Sequence, residues 1–347
     1  MGTTAQKLQN IVDSKSAISA AIESKGGVVP TEFISYGSAV LSMPNKAAQL
    51  VDGTITEVTA ADLSGTHSIG EYAFYNCQML SSITIPDSIT LIRRYALSGC
   101  TALKSVTFEA PSNVEVLSSN AFRGCSSLTS ITIPSSVTTI GTNAFDGCSG
   151  MTNAVIENGV TKIPNYMFQN CSSLTSIVIP SSVTSIGDNV FNGCNLLFDT
   201  STIPGIKLVN GWAVGYESTL TGSLNLIGIH GIGGGAFSKT GLTSVTIGNG
   251  AITIGHFAFG MCSSLTSVTI PSSVISIESY AFRGCSNLRS LTIPDSVTSI
   301  AEWAFGDNNM AITMEGKTKA QVQGMSNYSW QLASGSTIIC TDGTITI

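Results

Sequence analysis

One spacing governs this chain. Cysteines fall at Cys77, Cys100, Cys125, Cys148, Cys171 and Cys194, then at Cys262 and Cys285, at intervals of 23 residues except for 25 between Cys100 and Cys125 and a central gap of 68. Self-similarity at such a period marks a coil that stacks on copies of itself, because one short unit cannot close an apolar core alone. The register continues where the cysteine is replaced: Thr240 follows Ala236-Phe237, and Asn308 follows Ala304-Phe305. Allowing two periods between Cys194 and Thr240, the second of them degenerate, the sequence predicts about eleven units.

A clear unit contains Leu128, Ile131, Ile133, Pro134, Val137, Ile140, Gly141, Ala144, Phe145 and Cys148. Ile131-Thr132-Ile133 alternates with period two, which predicts a strand with one buried face. Pro134 has no N–H for a ladder and ends that strand. Val137 and Ile140 point inward from a second short extended segment, Gly141 supplies a turn, and Ala144, Phe145 and Cys148 return to the core. Two departures stand out. A two-residue insertion at Ala110-Pro111-Ser112-Asn113 predicts one bulged loop, and Glu157 takes the place of the proline after Ala154-Val155-Ile156.

These residues carry a resemblance. The pattern Leu-x-x-Ile-x-Ile-Pro-x-Ser-Val-x-x-Ile-Gly-x-x-Ala-Phe-x-x-Cys, repeated over roughly residues 63–308, resembles the BspA-like class of bacterial leucine-rich repeats. The resemblance implies a β-rich, right-handed solenoid with a parallel sheet along one side, found in surface proteins that bind other proteins or matrix. At ~4.8 Å between strands, such a stack would be a rod about 50 Å long.

The expected division is a helical module or cap at 1–45, a solenoid at 46–308 with an irregular insertion at 195–231, and a C-terminal cap at 309–347. Within residues 5–25, Leu8, Ile11, Val12, Ile18 and Ile22 fall near one helical stripe, ended by Gly26-Gly27. This segment is also similar to short N-terminal modules of tail-fibre and structural proteins of phages and prophages of gut bacteria, which would make it a possible site of homo-oligomer assembly. After Asn308 the period is lost. Thr318 to Met325 predicts a short capped helix, and Asp342-Gly343 between two apolar runs predicts a hairpin.

Composition follows from the repeat and narrows the function. Ser and Thr make up 87 of 347 residues and charged residues only 10%, against about 25% in an average soluble protein. Net charge is −6 with no basic block, so nucleic acid is not an expected partner. No window holds the ~18 consecutive apolar residues of a spanning helix, and the N-terminus lacks a secretory signal pattern. Eight of the nine cysteines share one inward repeat position, Cys340 being the exception, and they read as a buried ladder of small apolar thiols rather than disulfides or zinc ligands. His67, His230 and His256 stand apart from one another, and acids such as Glu71 and Asp146 stand alone on separate coils. No catalytic residues, metal site or cofactor are expected.

The candidate ligand contacts are therefore surface rows. Ser130, Ser267 and Ser290 belong to one hydroxyl row, Thr132, Thr269 and Thr292 to another, and both can hydrogen-bond sugars or peptide edges or simply keep a β surface wet. Ile206 to Tyr216 reads as a hairpin about Asn210-Gly211, which places Trp212 and Tyr216 on one face, as contact aromatics or as rings packed onto neighbouring coils. The reading is a non-enzymatic recognition or adhesion protein facing a protein or glycan on a cell surface; a phage or prophage tail-associated protein in a virion, and an inert spacer, are the alternatives.

Overall fold

The computed structural model describes residues 54–347, so the helical module expected at 1–45 lies outside the described residues. The fold is a β-solenoid of about twelve turns with almost no helix. The described residues fall into two compact units, one up to Ser182 together with Val190–Leu197, the other Val183–Asn189 with Phe198–Ile347.

In the first unit the alternating segments become strands because one face of each is apolar. Along Ser130–Ile133 the serine and threonine are exposed while Ile131 and Ile133 are buried. Pro134 bends the chain immediately afterwards, its carbonyl accepting the Val137 N–H at 3.0 Å. Glu57–Val58, Ser82–Ile85 and Ser105–Phe108 form one parallel ladder. Ser130–Ile133, Asn153–Ile156 and Ser176–Val178 form another, with Ser130, Asn153 and Ser176 opposite one another. The second extended segment of each coil makes its own ladder of two-residue strands, Ser68–Ile69, Leu91–Ile92, Val116–Leu117 and Thr139–Ile140. At Gly141 a Cβ would lie 2.2 Å from the Ser119 backbone nitrogen, so the repeat's glycine here marks a close approach of two turns.

Between the ladders the apolar residues of successive turns stack on their own copies. Phe122, Phe145, Phe168 and Phe191 lie nearly parallel, with ring centroids 5.2, 5.6 and 6.1 Å apart. Dispersion and burial accumulate along such a column, and each ring completes the surface of the next.

The second unit repeats this plan with Thr221–Leu226, Gly241–Ile247 and Ser267–Thr269 in one parallel ladder. Phe237, Phe259, Phe282 and Phe305 form its column, and Trp330 closes the end edge-on to Phe305 at 6.1 Å. Two expected boundaries move. The ladder does not stop at Asn308: Ala311–Met314 pairs parallel with Ser290–Ile293, and Thr337–Cys340 pairs parallel with Ala311–Met314. Ile312 and Met314 keep the period-two apolar face although the interval has shortened, so pairing survives the loss of the 23-residue count. The irregular insertion is also narrower than 195–231, because Thr221–Leu226 already sits in the repeat ladder against Gly241–Ile247. The expected hairpins are present, Ile206–Val209 with Trp212–Tyr216 and Thr337–Cys340 with Gly343–Thr346. The expected helix spans Lys319–Gln323, with Thr318 accepting the Gln321 N–H at 3.3 Å as its cap.

Candidate functional site

The first unit contains a concavity at the step of the repeat that is lengthened by two residues. Ser105–Phe108 and Ser130–Ile133 pair with their outer neighbours and, among the described residues, not with each other as strands. At their start the Thr129 N–H lies 3.5 Å from the Lys104 carbonyl, where the next step, Thr152 to Thr129, closes at 2.8 Å. The cause is local. Phe108 is followed by Glu109 and the four residues Ala110 to Asn113 before Val114 returns to the core, two more than between Ile85 and Ile89. The longer loop holds its turn away from the next one, and a cavity of about 680 Å³ opens between them.

Its walls are chemically distinct. Val106 and Phe108, at positions buried in most other coils, are both half-buried here and supply an apolar floor. Thr107, Ser130 and Thr132 add hydroxyls, exposed Pro111 forms part of the rim, and Glu109 and Glu157 are its charged lining residues. Glu157 is held in place: its Oε2 accepts the Ser135 N–H at 2.9 Å, and its own N–H donates to the Ile133 carbonyl at 3.0 Å. The loss of proline at this position thus places a carboxylate at the rim. Ser136, which also lines the opening, differs from several of its repeat counterparts. Ser182, Ser273 and Ser296 each donate to a carbonyl 22 residues earlier at 2.8–2.9 Å, whereas the buried hydroxyls of Ser136 and of Ser88, at the same repeat position, have no hydrogen-bond partner.

Of the residues singled out in the sequence, Ser130 and Thr132 line this cavity, while Ser267, Thr269, Ser290 and Thr292 lie exposed along the second unit's strands. The hydroxyl rows hold register, Ser244 opposite Ser267 and Thr246 opposite Thr269. Trp212 is placed differently from a surface contact: it is 1% exposed. Its strand pairs parallel with Gly231–Ile232, and the missing side chain of Gly231, where a Cβ would lie 2.5 Å from the ring, makes room for the indole. Tyr216 remains half-buried beside the core.

The thiols do more than fill space. All nine cysteines are free and buried. Cys148 donates to the Phe122 carbonyl at 3.2 Å, Cys171 to Phe145 at 3.3 Å and Cys285 to Phe259 at 3.1 Å, each reaching the preceding turn. Asn308 takes over the same bond, Nδ2 to the Phe282 carbonyl at 2.7 Å, which explains how the register survives there without sulfur. Burial pushes the Cys77 thiol up to about 12 and raises Cys100 and Cys125 well above the ordinary value, so these sulfurs stay protonated rather than nucleophilic.

Two groups that stand alone in sequence do not stand alone in space. Asp146 is buried, with Oδ2 3.0 Å from Arg123 Nε and Oδ1 3.1 Å from Asn170 Nδ2, so it ties together three successive turns of the first unit. In the second unit His256 Nδ1 lies 3.0 and 2.9 Å from the two Asp188 carboxylate oxygens, 68 residues away, and that hydrogen bond holds the imidazole above its usual range. The sequence also hides a left-handed position. The residue before Ala-Phe has φ near +60° in Asn143, Tyr280 and Trp303. In the second unit it carries a small aromatic ridge, with the Arg283 guanidinium 5.5 and 5.4 Å from the Tyr280 and Trp303 ring centroids.

Among the described residues no helix is long and apolar enough to cross a membrane. No curated protein matches the chain. Among solved structures it is similar to a leucine rich cell surface protein from Faecalibacterium prausnitzii A2-165, at 25% identity over 79% of this chain and 86% of that one, with a TM-score of 0.36. It is also similar to a leucine-rich repeat protein from Bacteroides ovatus ATCC 8483, at 23% identity over 84% and 85% with a TM-score of 0.37. The pneumococcal vaccine antigen PcpA is similar at 22% identity over 75% of this chain and 67% of that one, with a TM-score of 0.34. A BspA type leucine rich repeat region, in six copies, matches residues 67–197 and 230–344. With that region covering most of its length, and with the coil, the paired ladders and the buried Phe and Cys columns it requires, the chain belongs to the BspA type leucine rich repeat family.

Proposed function

We propose that the chain is a non-enzymatic recognition or adhesion protein that meets a protein or glycan partner at a cell surface. The observation that carries this reading is the exposed hydroxyls that alternate with inward apolar residues along the strands, Ser130 and Thr132 in the first unit and Ser267, Thr269, Ser290 and Thr292 in the second, with Ser267 and Thr269 in register with Ser244 and Thr246. A repeated strand surface offers the same donors and acceptors at each step, which suits an extended partner better than a small one. The low charge of the surface points to hydrogen bonding and shape in place of ionic steering. The leucine rich cell surface protein to which the chain is similar accords with this location.

The test is binding of the full chain to an array of matrix proteins and host glycans, repeated with Ser267, Thr269, Ser290 and Thr292 all changed to Ala. A specific hit that the quadruple variant loses, with an unchanged melting temperature, supports the reading. A blank array, or a hit that survives the quadruple substitution, overturns it for these rows.

A further inference from the structure

We infer that the cavity between Ser105–Phe108 and Ser130–Ile133 is a binding site for a basic side chain, lysine or arginine, carried on an extended segment of a partner polypeptide. This rests on the recognition reading above and names the chemistry of one contact within it.

The lining divides as such a side chain divides. A lysine or arginine has an apolar stem and a cationic head, and it gains most where the stem lies on apolar surface and the head meets fixed acceptors. Val106 and Phe108 are half-buried apolar residues at the floor, and the charged residues of the lining, Glu109 and Glu157, are both acids. Glu157 is anchored through Oε2 by the Ser135 N–H, so holding it toward a cation costs little additional side-chain order.

A polypeptide, and not a free amine or a glycan, is indicated by the backbone. The two strands flanking the cavity are each paired on the outer side, and on the side that faces the opening they meet at their start, where the Thr129 N–H lies 3.5 Å from the Lys104 carbonyl, and are not paired as strands beyond it. Backbone N–H and C=O groups on a free strand edge are a template for an added extended segment, with alternate side chains dropping into pockets. Ser130 and Thr132 add hydroxyls along one flank, and the buried Ser136 hydroxyl supplies a further unpartnered group in the wall. The opening coincides with the insertion at Ala110 to Asn113, and its charged lining residues are both acids.

The experiment uses the full chain and a fluorescein-labelled peptide of alternating threonine and lysine, six residues long, followed by anisotropy. A matched peptide with norleucine for lysine and a neutral chitin tetrasaccharide serve as the other probes. The lysine peptide should bind, the norleucine peptide should bind about tenfold or more weakly, and Glu109→Gln and Glu157→Gln should each weaken the lysine peptide about tenfold. Raising salt should weaken the lysine peptide further. Glu109→Gln is the cleaner variant, since Glu157 also holds the Ser135 N–H. Equal affinity of the two peptides, or wild-type affinity in both glutamine variants, overturns the proposal. Tetrasaccharide binding that the glutamine variants abolish overturns it in favour of a sugar. If the array finds a partner that needs Ser267 and Thr269 while the lysine peptide does not bind, the cavity proposal fails and the recognition reading stands; a blank array and no peptide binding remove both.

Discussion

Two neighbouring steps of the first unit differ by two residues of loop. From Ser130–Ile133 to Asn153–Ile156 the strands pair in full register, and Ile131 and Ile133 are sealed in the core. From Ser105–Phe108 to Ser130–Ile133 the strands part, and Val106 and Phe108 are left half-buried. The same repeat positions therefore serve as core or as site according to whether the turn between them lets two coils meet. A solenoid buries each residue only against the next coil, so a small local separation is not averaged over a large core.

The largest effect that can sharpen this contrast is a pair of truncations. Phe145→Ala removes the centre of the stacked column and should cost about 3–5 kcal/mol, whereas Phe108→Ala at the half-buried floor should cost less than about half of that. Chemical denaturation of the two variants measures the gap, and equal losses would mean that the floor is as sealed as the column. Next, deleting Ala110 and Pro111 restores the 23-residue interval and should let the strands close. Burial of Val106 and Phe108 should then raise stability by about 1–2 kcal/mol, and amides of Ser105–Phe108 and Ser130–Ile133 should gain protection from hydrogen exchange. Unchanged protection would assign the opening to something other than loop length.

A smaller difference separates the serines. Ser182→Ala breaks a bond to the Val160 carbonyl and should cost about 1 kcal/mol. Ser136→Ala removes an unpartnered buried hydroxyl and should be neutral or slightly stabilising. The smallest effect lies in the second unit. Because the hydrogen bond to Asp188 raises the His256 pKa, that pair's stabilisation is fully present below about pH 6.5, the unfolded value, and is lost as pH rises through the raised folded value. With the imidazole side chain 40% exposed, solvent screening limits the contribution to a few tenths of a kcal/mol up to about 1 kcal/mol. Melting curves between about pH 5 and 8 should show this slope in the native chain and a flatter one in His256→Ala.

The repeat unit made most of the fold legible. Alternation at Ile131-Thr132-Ile133 gave the strand, Pro134 its end, and the cysteine spacing the identity of the stacked positions. Legibility failed where contact partners lie more than one period apart or where one contact outweighs local pattern. The sequence leaves Trp212 either as a contact aromatic or as a packed ring, and a glycine 19 residues later decides it by opening a pocket that buries the indole. His256 and Asp188 are 68 residues apart and meet only because the irregular centre is traversed between them. The inserted loop and Glu157 are visible in the sequence as separate departures, and nothing in the spacing alone brings them to one cavity.

The amino-acid sequence by itself determined the coil, the inward residues and the in-register stacking, because period-two and 23-residue patterns specify which atoms must leave water. Tertiary structure alone decided which of the outward groups converge. Whether two turns touch depends on the lengths and packing of the loops that join them. That balance left Val106 and Phe108 open beside Glu109 and Glu157 while closing every like residue of the next step.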